Sequence, residues 1–287
     1  MLASALMTRR PSLSHAPAHA PTPRRHPLNQ AFEWRERPAT QLRRLSEAER
    51  RQYDELGFVK LEGLFSAEAI AAVTAAIDPF ETEAEAWLRA KGGRVGIATA
   101  DVITVTIHIA SRSQAARDFA SQPAIKDVCH DLLGDDVRLY WDQSVYKKTA
   151  KAQEVLWHQD TGYAFTEPQA YLTLWVPLVD VDEENGCPWI APGLHRLGTL
   201  EHWRTDIGYA CLEDFAGALP VPAKAGDAVV FSSLTPHRTG PNLKLGTVRK
   251  AYVLQYCLDG TVTVAPDGAR TPQNDPVKQF RVLENGR

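Results

Sequence analysis

The stretch Val155–Tyr163 reads VLWHQDTGY and sets a histidine and an aspartate two positions apart, after a short β-prone run. Residues two apart in a strand point to the same side, so His158 and Asp160 can reach one ion while Gln159 points elsewhere. A non-haem iron oxygenase commonly holds its metal with two histidines and one carboxylate on one face, leaving the opposite face open. An isolated H-x-D triplet reads more simply as a solvated pair at a strand end, so the third ligand decides.

Three histidines downstream are candidates: His195, His202 and His237. His195 sits in the turn-like APGLHR, where a histidine can simply hydrogen-bond to the backbone, and His202 in the polar EHWR reads as exposed. His237 is better placed, because it follows the acidic turn and hydrophobic run AGDAVVFSSLTP and opens HRTGPN. Arg249 comes twelve residues later and opens another β-rich run, RKAYVLQY. An arginine beside a metal site offers a planar, bidentate partner for a carboxylate.

Outward from these motifs, the chain divides into three parts. Residues 1–40 are rich in proline, alanine and arginine and read as a disordered tail; LASALM is too short for a signal-peptide core. A helical part follows, to about residue 135. SEAE fits a capping box, with Ser46 as N-cap of a helix ending near Gly57, and FVKLEGLF is a short strand. Ser66 starts a second helix, with Ile70, Val73 and Ile77 on one face and Asp78-Pro79 marking its end. A third helix is expected over Glu81–Lys91 and a fourth over Ser121–Gly134, with Pro123 in its first turn and Gly134 as C-cap. From about 137 to 260, RLYWDQSVYKK, YLTLWVPLVDV, CPWIA, DAVVFSS and RKAYVLQYCL are short β-rich runs separated by turn residues. The class is mainly β with flanking helices, and residues 41–287 read as a single domain.

Composition excludes several function classes. The chain has 287 residues, 44% hydrophobic and 23% charged, as in an ordinary soluble protein. A net charge of −3 gives no general attraction to nucleic acid or anionic membranes, and no apolar run is long enough for a membrane span. The four cysteines, Cys129, Cys187, Cys211 and Cys257, are far apart and read as reduced, packed thiols of a cytoplasmic protein. Oligomeric state is not legible.

Taken in order, these motifs resemble the phytanoyl-CoA dioxygenase family of Fe(II)- and 2-oxoglutarate-dependent oxygenases. The likeness runs roughly from Leu45 to Leu258 through SEAERRQYDELGFVKLEGLFSAEAIAAV, WHQD, DVDEENG followed by APG-x-H, AGDAVVF, and H-x-T-G-x-N with Arg249 beyond. It implies a double-stranded β-helix, a cupin-like jelly roll, with His158, Asp160 and His237 as iron ligands. It also implies that Arg249 and Thr239 hold the distal carboxylate of 2-oxoglutarate and that Gln143 and Trp175 line the cosubstrate pocket. O2 is the other cosubstrate, and the products are succinate, CO2 and a small molecule hydroxylated at a C–H bond. Halogenating relatives carry a small residue where Asp160 stands, which points away from chloride chemistry. Desaturation and ring formation use the same iron site with the substrate placed differently.

The chain departs from the family pattern in NGCPW and PGLH, which put Trp189 and Leu194 near the mouth, and in a His237 to Arg249 spacing about one residue longer. Gln159, Tyr163, Trp189 and His108 are candidate substrate contacts, each with a plainer reading as a supporting or core residue. Lys147 and Lys148 read as a solvated pair rather than an anion site. The alternative function is a non-catalytic or 2-oxoglutarate-independent metal-binding jelly-roll protein.

Overall fold

A computed structural model describes residues 23–36, 41–149 and 151–287. Eight strands alternate between two facing antiparallel sheets. Val137–Lys147, Leu172–Pro177, Ala228–Ser232 and Arg249–Leu258 belong to the larger sheet, and Val155–His158, Pro188–Ile190, Leu219–Pro220 and His237–Thr239 form the smaller one. In the larger sheet the order is 228–232, 172–177, 249–258, 137–147; in the smaller it is 219–220, 188–190, 237–239, 155–158. This interleaving is the expected double-stranded β-helix. The larger sheet continues at one edge into Phe58–Leu61 and at the other into Ile103–Ile107.

The long strands read as continuous hydrophobic runs because both faces of the larger sheet are covered. Along Arg249–Leu258, Tyr252, Leu254 and Tyr256 join the core beneath the helices, while Ala251 and Val253 belong to the core between the sheets. Leu172, Leu174 and Val176 face the helices in the same way, and Trp175 faces inward. Between Gln255 and Tyr256 the register slips against Trp141 and Leu139, leaving Tyr140 as an extra, unpaired residue. Such a bulge re-aims side chains, and here Tyr140 and Trp141 both reach the interior cavity.

Helix α1, Glu47–Leu56, carries the expected capping box on Ser46 and ends at Gly57, whose φ of 84° is the left-handed conformation glycine tolerates. Helix α2 runs unbroken over Ala67–Ala90, so Pro79 does not end it and there is no separate third helix. Tertiary contacts override the proline: Asp78 accepts from Tyr146 Oη at 2.8 Å and from Lys250 Nζ at 2.8 Å, tying the turn around Pro79 to the sheet. The fourth expected helix is present as α4 over Pro123–Leu132, whose C-cap is Leu133 rather than Gly134, and an unexpected helix, α3 over Gln114–Ala120, capped by Ser113, precedes it.

Residues 1–40 are expected to form a disordered tail. Of these, 1–22 and 37–40 lie outside the described residues, but 23–36 pack on the body. Asn29 is buried and donates to the carbonyls of Leu197 and Thr199 at 2.8 Å each, and Trp34 meets His195 edge-on at 4.5 Å. Proline-rich composition does not reveal such anchoring, which depends on backbone acceptors that only the folded body presents.

Candidate active site

The smaller sheet brings the H-x-D motif and the later histidine together. His237 pairs directly with His158 across adjacent antiparallel strands, and the two imidazoles lie 4.2 Å apart, centroid to centroid. Gln159 keeps an extended backbone and Asp160 opens a short 3-10 turn, Asp160–Gly162, which turns the carboxylate back towards both rings. Asp160 Oδ1 stands 3.7 Å from His158 Nε2 and 3.7 Å from His237 Nε2. One ligand atom from each residue lies within 4.8 Å of the others, the span a single metal ion needs.

Neighbouring groups orient each donor. His158 Nδ1 lies 2.8 Å from the carbonyl of Leu156 and His237 Nδ1 3.0 Å from that of Thr235. Each Nδ1–H therefore donates to backbone, which leaves the Nε2 lone pair for a metal. Thr173 Oγ1 donates to Asp160 Oδ2 at 2.6 Å and leaves Oδ1 facing the histidines. Burial, with the adjacent His237 second, pushes the His158 imidazole well below its usual pKa and keeps it neutral. The donor set of two imidazole nitrogens and one carboxylate oxygen fits a facially bound Fe(II).

Gln159 points away from this cluster, as the two-residue period requires, and is fully buried. Its amide donates to the carbonyls of Gly198 and Leu234 and accepts from Leu200 N–H at 2.6 Å, so it fixes the ligand turn and does not line the cavity. His202 is not the exposed loop residue the sequence suggested. Its Nδ1 donates to Leu200 O and its Nε2 accepts from Gln159 N–H, both at 2.9 Å, which pins the backbone between the two ligands. Burial pushes its pKa down to about 4, in keeping with the neutral form that accepts. Gly162 passes so close that a Cβ there would lie 2.1 Å from His202 Nε2.

The three donors open into a cavity of about 430 Å³ that is also lined by Arg249, Thr239, Gln143 and Trp175. Arg249 is buried, donates to Val145 O at 3.1 Å and lies over the Trp175 ring at 5.4 Å. Its Nε has no partner, and no carboxylate among the described residues pairs with it. Burial pushes its pKa down to about 9, which still leaves it cationic at neutral pH. A buried arginine without an acid is an incomplete structure that an anionic ligand completes. Gln143 Oε1 accepts from Trp141 Nε1 at 3.1 Å.

Lys147 overturns its reading as a solvated residue. It lies opposite Arg249 in the sheet and is 1% exposed. Its Nζ donates to Thr239 Oγ1 and Thr239 O at 2.9 Å and to Gly240 O at 2.6 Å. Because Thr239 Oγ1 accepts from the lysine, its own O–H is free to donate elsewhere, and Thr239 lines the cavity. Burial, and then the Arg249 charge, depresses the lysine pKa well below its usual value. Lys148 is ion-paired to Glu81 and Glu85 of α2.

Of the other candidate substrate contacts, Tyr163 lies at the rim, edge-on to His158 at 5.7 Å and lining the cavity. Trp189 and His108 do not line it. Trp189 packs under the Arg238 guanidinium at 5.2 Å, and His108 packs edge-on to Trp141 at 4.3 Å. His195 is buried and bonds Asp54 O at 3.1 Å, the backbone role its turn suggested. Thr173 and Gln255 also belong to the site without being evident from the sequence motifs, although each shares a strand face with a motif residue, Trp175 and Arg249. Tyr140 and Tyr171, which also line the cavity, carried no such signal.

Known proteins resemble the chain in sequence and in fold. Phytanoyl-CoA dioxygenase domain-containing protein 1 of Danio rerio is 31% identical over 131 residues, 42% of this chain and 45% of the relative. The chain spans about half the length of the first curated relatives it matches. The crystal structure of EctD from S. alaskensis with 2-oxoglutarate and 5-hydroxyectoine superposes with a TM-score of 0.64 at 23% identity, covering 90% of each chain. The epimerase SnoN in complex with Fe3+, alpha ketoglutarate and nogalamycin RO does so with a TM-score of 0.61 at 22% identity, covering 80% of this chain and 87% of that one. The family model described as Phytanoyl-CoA dioxygenase (PhyH) matches residues 53–251, and the chain belongs to that family of oxygenases.

Proposed function

We propose that the protein is an Fe(II)- and 2-oxoglutarate-dependent dioxygenase that hydroxylates an unactivated C–H bond of a small molecule, releasing succinate and CO2. One observation carries this reading: a buried arginine with no acid partner among the described residues shares a cavity with two imidazole nitrogens and a carboxylate oxygen that converge on one point. The structural relatives bound to 2-oxoglutarate or to Fe3+ and alpha ketoglutarate support it.

His158, Asp160 and His237 would hold the iron, with Nε2, Nε2 and Oδ1 as donors. Arg249 and the Thr239 hydroxyl would bind the distal carboxylate of 2-oxoglutarate, with Trp175 and Gln143 along its sides. When bound, iron and 2-oxoglutarate supply the oxidising chemistry, in which one oxygen atom of O2 enters the substrate and the other enters succinate. The chain's own work is positional. Thr173 and the carbonyls of Leu156 and Thr235 fix the donor atoms, and the apolar walls keep bulk water from the reacting C–H bond. Residues 41–287 form the one catalytic domain, with a small-molecule substrate as partner. Among the described residues no helix is long and apolar enough to cross a membrane, and four buried free thiols suit the reducing cytoplasm.

The test is succinate and CO2 formation from 2-oxoglutarate in the presence of Fe(II) and O2. Omission of Fe(II) or O2, or replacement of Asp160→Ala, is expected to abolish turnover. Undiminished succinate formation by the variant contradicts the reading.

A further inference from the structure

The inward-facing residues of Arg249–Leu258 run the length of the cavity, with Arg249 at one end and Gln255 at the other. Gln255 lies six residue steps beyond Arg249, roughly 20 Å at about 3.3 Å per residue. If Arg249 takes the cosubstrate, as the proposed function holds, the Gln255 end belongs to something else. Gln255 pairs with Thr173, the residue that holds Asp160, so this end lies on the Asp160 side of the metal site.

Two tyrosines join Gln255 there. Tyr140, supplied by the bulge, and Tyr171 are 9% and 2% exposed, and their rings lie 4.6 Å apart at 45°. Gln255 is 7% exposed. Among the described residues neither phenol hydroxyl nor the Gln255 amide has a hydrogen-bond partner, yet none is sealed within the protein; all three residues line the cavity. Polar groups that reach a mostly apolar cavity without a partner in the protein are free to bond a ligand's polar group.

The charge pattern narrows that ligand. Among the described residues, the only carboxylate, lysine or arginine side chains lining the cavity are those of Asp160 and Arg249, which the metal and the cosubstrate would neutralise. A carboxylate, phosphate or ammonium group at the Gln255 end meets no opposite charge, and burying an unpaired charge is costly. We infer that Tyr140, Tyr171 and Gln255 form the substrate subsite, and that it takes an uncharged, mostly apolar molecule bearing a hydroxyl or carbonyl group. The hydroxyl or carbonyl bonds to the three polar groups, and the apolar body spans Val253, Val105 and Trp141.

Three probes on one skeleton test this: 2-naphthol, naphthalene and 2-naphthoate, measured by equilibrium dialysis against anaerobic protein loaded with Fe(II) and 2-oxoglutarate. 2-Naphthol should bind about tenfold more tightly than either of the others, the effect of one or two neutral hydrogen bonds. Tyr171→Phe combined with Tyr140→Phe should remove most of that preference and leave naphthalene binding unchanged, which also shows that the cavity has kept its shape. Gln255→Leu should act in the same direction. Equal or tighter binding of 2-naphthoate, or a preference that survives in the variants, overturns the inference. Failure of Fe(II) and 2-oxoglutarate to give a visible charge-transfer band defeats the cofactor reading instead, and dialysis of the metal-free protein then still reads the wall.

Discussion

Thr173 Oγ1 donates to Asp160 Oδ2 at 2.6 Å, so one carboxylate oxygen is held by the larger sheet while the other faces the two histidines of the smaller one. Asp160 is therefore fixed by a hydrogen bond that crosses between the sheets. Thr173→Val keeps the shape and removes the donor. Outer partners of this kind typically contribute 10–100-fold to metal affinity, so Fe(II) affinity, read by anaerobic titration, should fall by about that factor. Thr173→Ser should restore most of it. Wild-type affinity in the valine variant shows that Asp160 is held by other means.

Lys147 holds Thr239, the residue proposed to bind the cosubstrate. Its Nζ donates to the threonine hydroxyl oxygen, so the hydroxyl proton is left to donate into the cavity. Lys147→Met should raise the KM for 2-oxoglutarate about three- to tenfold with kcat within about twofold, the effect of one neutral hydrogen bond. Thr239→Val should do the same, and the double variant should be no worse than the worse single one, because both remove the same interaction. Additive effects contradict a shared role. The lysine variant should also melt earlier, because the carbonyls of Thr239 and Gly240 lose a donor.

His195 gives stability a pH dependence. Burial pushes its pKa from 6.5 down to about 4, so the unfolded chain binds the proton more readily than the folded one. Its effect is absent above pH 6.5, grows as pH falls through the window, and is complete below about 4. At 1.36 kcal/mol per unit this amounts to about 3 kcal/mol of lost stability. Urea unfolding of the metal-free protein between pH 7 and 4 should show the fall, and His195→Asn should be less stable at pH 7 but lose less on acidification. An unchanged pH slope in the variant assigns the acid sensitivity to other groups.

The jelly roll and the three metal-binding side chains were legible in the sequence because each rests on a local pattern. H-x-D uses the two-residue strand period, and the acidic turn before Ala228–Ser232 announces a strand delivering His237. Features that depend on register were hidden. Lys147 becomes a buried cation only because it falls opposite Arg249, and the Tyr140 bulge exists only relative to its partner strand. Pro79 misled for a related reason: a local helix-breaking signal was outweighed by the ties from Tyr146 and Lys250 to Asp78. His202 looked exposed because its partner, the Gln159 backbone, is 43 residues away in sequence.

One cavity is proposed to hold Fe(II) at His158, Asp160 and His237 and 2-oxoglutarate at Arg249. Anaerobic titration of the metal-free protein with Fe(II) and then 2-oxoglutarate, followed by visible absorption, tests it most directly. Chelation of the iron by the keto acid should produce a metal-to-ligand charge-transfer band that saturates with one equivalent of iron. Arg249→Met should need at least about tenfold more 2-oxoglutarate to reach the same band, as expected for a lost charge-assisted hydrogen bond. Absence of the band in wild-type protein with bound iron, or an unchanged 2-oxoglutarate requirement in the arginine variant, contradicts the account.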